Sequence, residues 1–326
     1  MGVTEIEAPE GFTLRVPRME EAGEVAALIN AAMAAAGGPP DNSESEVRCA
    51  WTTPGIDFES AFRVVVDDTG RIVGYLSLEE REPFTKIWLD GFTHPEFLGH
   101  GIGSCLLRYA ETRAGELATW APGREASVLR HFVWAGDRMA RRLLEAHGYR
   151  LVRHFNELIV DLDPALPEPV WPDGIVVRTM LPGDDDRAVW EAIEESFRDH
   201  WGFELTPFEE FAHRHFHGDE DFDPTLNFLA MDSEQVAGAA LCRVNLPHDP
   251  RKGWVKSLGV RRPWRRRGIA LALLQQAFGE FRRRGYERAG LGVDTENPTG
   301  AMDLYEKAGM RIEHKAVVLE KQLRRA

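Results

Sequence analysis

The chain has 326 residues, 43% apolar and 28% charged, with a formal net charge of -14. Two domains of ordinary size suit that length, each able to bury a normal core. The acidic balance argues against general nucleic-acid binding, which draws on surplus Lys and Arg, and no apolar run approaches the roughly 20 residues that span a bilayer.

The opening "MGVTEIEAPEGF" is acidic and lacks the basic, apolar pattern of a signal peptide, so a cytoplasmic protein is expected, with neither membrane nor nucleic acid as partner. A short alternating strand, an acidic turn and an amphipathic helix follow in residues 11–32, and the same order returns in residues 174–196. The repetition continues. Residues 62–80 and 228–244 each read as a hairpin around a polar turn, 87–114 matches 253–285, and 139–150 matches 301–311, at an offset held between 161 and 167 residues. A proline-rich stretch, "DLDPALPEPVWPDG" (161–174), reads as the linker between two copies of one α/β module. The expected division is 1–163 and 164–326. Each module should form a mixed, mostly antiparallel twisted sheet flanked by helices. Cys49, Cys105 and Cys242 are scattered without metal-binding or disulfide spacing and read as reduced, buried thiols.

In the second module the pattern predicts a strand at "GWVKSLGV", a helix from Gly268 to Arg284, a strand over 288–295, a helix over 298–308 and a strand over 312–323. Five arginines crowd the seven residues before Gly268. The unpaired backbone N–H groups of a first helical turn form an anion site, a nearby glycine lets phosphate approach, and arginines add charge, so "RRRGIA" (265–270) fits a pyrophosphate cradle. Arg282, Arg283 and Arg284 complement the negative end of the same helix.

The order V-x-S-L-G-V-x-x-x-x-R-x-x-G-x-A, then "DTENPTGA", then "LYEKAGM" resembles the GNAT superfamily of acetyl-CoA-dependent N-acetyltransferases. The layout is similar to its two-module group, which includes mycothiol synthases. The resemblance implies that Arg265, Arg266, Arg267, Gly268, Ile269 and Ala270 hold the pyrophosphate of acetyl-CoA, the cosubstrate, and that Leu258, Gly259 and Val260 run beside its pantetheine arm. A backbone N–H of Val260 or Leu258 would face the thioester oxygen. Arg261 and Arg262 would meet the 3′-phosphate end or solvent. Asn297 would contact pantetheine, cap the next helix ahead of Pro298 at its first position, or do both. Tyr305, alternatively a half-buried core residue, stands where the family keeps a general acid for the departing thiolate.

The first module has Leu98 in place of Arg265 and Leu144 in place of Tyr305, which implies a catalytically silent copy. Gly99, Gly101 and Gly103 leave a possible second CoA site in its loop. In the second module the segment 195–224 should line the acceptor pocket, with Asp199, His200 and Glu204 as candidates for binding an amine or relaying its proton. Glu209 and Glu210 read as a solvated helix face, and His213, His215 and His217 as surface histidines without a metal. The expected reaction is acetyl transfer to a primary amine of a small molecule by direct attack on the thioester. The competing expectations are a CoA-binding sensor or scaffold without turnover and a transferase of another acyl group. A monomer is preferred over a homodimer.

Overall fold

A computed structural model describes residues 6–122, 127–163, 166–218, 220–297 and 300–323. Two compact units make up the chain: unit 1 runs to His154 and includes the residues from His314 onward, and unit 2 is Phe155–Glu313. In chain order the elements are β1 (Phe12–Arg15), α1 (Ala22–Ala36), α2 (Glu44–Trp51), α3 (Phe58–Ala61), β2 (Phe62–Asp67), β3 (Ile72–Glu79), β4 (Lys86–Thr93), α4 (Ile102–Ala118), β5 (Val128–Trp134), α5 (Arg138–Ala146) and β6 (Arg150–Asp161). They continue with β7 (Ile175–Thr179), α6 (Asp186–Phe197), α7 (Phe208–Ala212), β8 (Phe228–Asp232), β9 (Gln235–Arg243), β10 (Lys252–Val260), α8 (Ile269–Arg283), β11 (Arg288–Asp294), α9 (Ala301–Lys307) and β12 (Arg311–Gln322).

Local chemistry sets the boundaries. The alanine-rich α1 ends where Gly37 turns to φ 76, a left-handed conformation that glycine adopts without steric cost. Ser43 and Glu46 form a reciprocal capping box at the start of α2. In β2 the β-branched run alternates, Val65 facing one apolar cluster with α4 while Val64 and Val66 face another with α1. Unit 2 repeats this arrangement: α8 packs Leu273, Leu274, Phe278 and Phe281 on one face of its sheet, and α6 packs Val189 and Ile193 on the other. All three cysteines are free and buried, as expected.

The sheet of unit 1 has the order β1-β2-β3-β4-β5-β12 and that of unit 2 β6-β11-β10-β9-β8-β7. Within each, neighbouring strands pair antiparallel except β4 with β5 and β10 with β11. The expected hairpins are β2-β3 and β8-β9.

The unit boundary departs from the expected 163/164 division. It falls inside β6, because residues Phe155–Asp161 pair along the whole of β11, from Phe155↔Asp294 to Asp161↔Arg288. The chain's last strand meanwhile completes unit 1, pairing Ala316–Gln322 with Val128–Trp134. The proline-rich stretch therefore follows a strand that already belongs to unit 2. Helix α9 begins at Ala301 with Gly300 as its N-cap, so Asn297 does not cap it; the expected place of Pro298 lies outside the described residues.

A fragment cut at 164 would leave the β11 edge without β6. Residues 155–313 are expected to protect the β11 amides in hydrogen exchange, and residues 164–326 to lose that protection; equal protection in both would contradict the assignment of β6 to unit 2.

Candidate active site

Strands β10 and β11 pair in parallel only through Lys252–Trp254 and Arg288–Gly290, then diverge. A bulge at Lys256 shifts the register of β10 on β9, since Val255 opposes Cys242 and Ser257 opposes Leu241. Beyond the bulge, the N–H of Arg261 donates to Ala237 O at 2.9 Å. Antiparallel alternation then turns the N–H groups of Val260 and Leu258 away from β9, toward the opening. A cavity of about 490 Å³ fills this opening, bordered by β10, the end of β11, the start of α8 and α9. Helix α6 presses close on the far side, where a Cβ at Gly259 would come 2.8 Å from Ser196 Cβ, so this position has no room for a side chain.

The loop between β10 and α8 holds Arg266 at φ 63 and Gly268 at φ 89. Gly268 is the N-cap of α8, with no side chain capping it, so the first-turn amides point outward at the cavity's edge. The arginines are not equivalent. Arg265 donates to Asp199 at 2.7 Å, to Val260 O at 3.1 Å and to Ser196 O at 2.9 Å, which fastens the loop to β10 and the end of α6. Arg262 pairs with Asp199 at 2.5 Å and Arg261 with Glu195 at 2.6 Å. Arg267 donates to Asp173 O and lies outside the cavity lining. Arg266 alone of the five has no hydrogen bond or ion pair among the described residues, and it lines the cavity. The expectation that Arg265, Arg266 and Arg267 hold a pyrophosphate, with Arg261 and Arg262 meeting a further phosphate or solvent, is thus narrowed, because carboxylates and carbonyls of the same unit already engage every one of the five but Arg266.

The same contacts reassign the acidic segment. Asp199, expected beside the amine, is held by Arg262 and then Arg265, which lower its pKa to about 2. It buttresses the loop instead. Glu204 lies outside the cavity lining. His200 lines it, its ring tilted by 51° against Phe197 with centroids 4.3 Å apart, and its Nε2 accepts from the Asn297 side-chain amide at 3.3 Å. Burial pulls the His200 pKa down, favouring the neutral ring. Tyr305 is only 8% exposed, and its hydroxyl has no hydrogen-bond partner among the described residues. Burial raises its pKa to about 12, keeping the phenol protonated.

Leu258, Gly259, Val260, Arg265, Arg266, Gly268, Ile269, Ala270, His200, Asn297 and Tyr305 therefore border one cavity. Sequence reasoning missed Lys256 and Phe155 in the same lining, whereas Ser196 belongs to the segment expected there. Lys256 is displaced into it by the bulge, for which one sequence carries no pattern, and Phe155 was assigned to the other module.

Two further expectations are corrected near α7. Glu210 is buried and paired with Arg214 at 3.3 Å, so only Glu209 faces solvent. His213–His217 form a π-helical turn that carries His215 inward onto Phe211, with ring centroids 4.2 Å apart. Its Nδ1 is sealed from solvent without a partner, and burial lowers its pKa to about 3.

The corresponding loop of unit 1 keeps the backbone shape without the charge. Gly99 and Gly101 have φ 86 and 82, and Gly101 is the N-cap of α4. Leu98 is 45% exposed where unit 2 has Arg265, and Leu144 is buried where it has Tyr305. Strand β4 pairs with β3 without a bulge, from Glu79↔Trp88 to Gly74↔Thr93.

A family model described as acetyltransferase (GNAT) family matches residues 188–310, and one described as acetyltransferase (GNAT) domain matches residues 59–151. The mycothiol acetyltransferase of Streptomyces scabiei is 31% identical over 245 residues, covering 73% of this chain and 72% of that protein. That of Geodermatophilus obscurus is 28% identical over 308 residues, covering 90% and 92%. Among solved structures, a GCN5-related N-acetyltransferase from Sphaerobacter thermophilus superposes with a TM-score of 0.76 at 38% identity, covering 98% of both chains. A tandem GNAT protein from the clavulanic acid biosynthesis pathway reaches 0.70 at 17% identity over 97% and 99% of the two chains, a likeness of fold.

The buried ring of His215 has a pH signature. An unfolded chain protonates this histidine below its ordinary pKa of 6.5, whereas the folded chain resists down to about 3. The stability from keeping it neutral is complete above about pH 6.5 and is lost as pH falls toward 3. Relative to His215→Phe, the parent chain should lose unfolding free energy over that interval, with a slope of up to about 1.4 kcal/mol per pH unit. Parallel stability curves from denaturant titration at several pH values would refute the depressed pKa.

Proposed function

Because the chain belongs to the GNAT acetyltransferase family, with two such domains in tandem, we propose that unit 2 transfers an acetyl group from acetyl-CoA to a primary amine of a small molecule, with Tyr305 as general acid. One observation carries the reading: a buried, protonated phenol without a protein partner stands in the opening between two diverging strands, beside a helix N-terminus suited to phosphate.

The chemistry asks little more of the protein. The amine nitrogen attacks the thioester carbon, the carbon–nitrogen bond forms and the carbon–sulfur bond breaks, the amine gives up a proton, and the thiolate takes one. The strand-edge N–H groups of Val260 and Leu258 are placed to donate to the thioester oxygen as it gains charge. Tyr305 supplies the thiolate's proton, and its pKa near 12 keeps that proton available at neutral pH. His200, neutral through burial, is the cavity's candidate for relaying the amine's proton. The pyrophosphate would take the first-turn amides of α8 and the side chain of Arg266. Curated relatives named mycothiol acetyltransferases support a small-molecule acceptor. Unit 1 is the silent copy in this reading, supported by Leu98, Leu144 and the unbulged β4.

Replacing Tyr305 by Phe removes the proton and keeps the packing. The expected result is a fall in kcat of about a hundredfold or more with the KM for acetyl-CoA within about twofold, and unchanged kcat would remove the acid role. Arg266→Gly separates strain from binding, since a non-glycine residue in the left-handed region costs about 1 kcal/mol. The variant should melt higher in thermal denaturation yet bind CoA about fivefold more weakly in calorimetry, as expected for one exposed ionic contact. Full CoA affinity would show that backbone amides alone hold the pyrophosphate.

A further inference from the structure

The bulge of β10 decides which charge stands on which face of the unit 2 sheet. Val255 and Leu258 pack with the α8 cluster, whereas Ser257 opposes Leu241 of the α6 cluster and a Cβ on Gly259 would point at Ser196 and Ile193 of α6. Lys256 is the extra residue between them. Its contact places it on the α6 face: Nζ donates at 3.3 Å to Arg214 O, in the turn that follows α7 and packs Phe216 into the α6 cluster. A backbone carbonyl accepts such a bond without cancelling the charge of the ammonium group.

The helix start and Arg266, read above as the phosphate cradle, belong to the α8 side of the opening. Lys256 borders the same cavity from the other face, beside Ser196, Phe197 and His200 of the segment that follows α6. An anion held by Lys256 is therefore not the pyrophosphate. The acids expected from this segment stand elsewhere, because Asp199 is taken by Arg262 and Arg265, and neither it nor Glu204 reaches the lining. The carboxylates that do border the cavity are Asp294, which accepts from Glu296 N at 2.9 Å, and Asp303, exposed on α9 one turn before Lys307. On the strand that faces the acceptor side, the charge is positive.

We propose that Lys256 is a specificity-determining residue that binds a carboxylate on the acceptor, so that the amine acetylated by unit 2 belongs to an amino acid. This rests on the transferase reading of unit 2 and adds the class of its acceptor. A lysine in the lining repels a molecule whose charge is an ammonium group alone and attracts one that also carries an anion, through a charge-assisted hydrogen bond. The same charge serves the reaction. A nearby cation disfavours the protonated amine, which lowers its pKa and leaves more of it as the neutral nucleophile.

The test is calorimetric titration of the full chain, with excess CoA present, using pairs that differ only by a carboxylate: L-phenylalanine and 2-phenylethylamine, L-leucine and 3-methylbutylamine, L-histidine and histamine, L-tryptophan and tryptamine. At least one amino acid should bind saturably and about tenfold or more tighter than its decarboxylated partner, the scale of one charge-assisted hydrogen bond. Lys256→Met should bring that pair within about twofold of each other, and Lys256→Arg should keep the preference. Lys256→Glu should reverse it in favour of the amine, which loss of the bond to Arg214 O would not do. The proposal is overturned if no amino acid binds up to about 10 mM, near the weak limit of measurable affinity, or if the decarboxylated partners bind the parent chain as tightly. A preference that survives Lys256→Glu overturns it as well. Acetyl transfer from acetyl-CoA separates the two readings: selective binding of the amino acid without transfer would overturn the transferase reading alone, and transfer to the decarboxylated amines at equal or higher kcat/KM would overturn the role of Lys256 alone.

Discussion

Strands β10 and β11 stay in parallel register for three residue pairs and then part, and every feature of the candidate site follows from that divergence. A paired strand presents its N–H and C=O groups to its neighbour. A strand whose neighbour has turned away presents them to whatever enters the gap, and β10 does so from Val255 to Val260. The bulge at Lys256 increases the local twist and sets which residues face the gap. Helices α8 and α9 then close its sides, one bringing an uncapped N-terminus and the other a phenol.

The arginine cluster shows how tertiary contacts divide labour among identical side chains. Arg265 spends its hydrogen bonds on Asp199, Val260 and Ser196, so it fixes the position of the loop. Arg266 sits in a strained backbone conformation and keeps its guanidinium uncommitted. Strain of this kind persists where surrounding contacts over-determine the loop, and the contacts of Arg265 supply that constraint here. Unit 1 reaches the same backbone shape with Gly99 and Gly101 and no strain, at the loss of every cation in the turn. The two loops are alike in geometry and opposite in electrostatics.

Much of the fold was legible because it rests on local rules. The repeat showed as recurring strand, turn and helix patterns, and the two hairpins and the helix beginning near Gly268 fell where alternation and apolar spacing put them. Failures arose where a residue's fate depends on something distant. Asp199 looked available to a substrate because its partners, Arg262 and Arg265, lie 63 and 66 residues away. Asn297 looked like a cap because "ENPT" starts helices well, but α9 begins only at Ala301 and the side chain reaches His200 instead. His215 looked solvated because its place in a π-helical turn, which rotates it onto Phe211, has no signature in composition.

The sequence by itself determined that one α/β module occurs twice, that only the second copy retains a basic loop and a tyrosine at the matching positions, and that this copy resembles an acyl-CoA-using family. Those are statements about residue identity and spacing along the chain, and they need no coordinates. Only the tertiary structure decided where one unit ends and the other begins, because strand pairing is a long-range hydrogen-bond choice: Phe155–Asp161 take β11 as partner, and the chain's last strand takes β5. It also decided which charges remain uncommitted. An arginine or carboxylate is equally charged in any sequence, but its availability depends on whether the folded chain brings an opposite charge within hydrogen-bond reach, as it does for Arg265 and does not for Arg266.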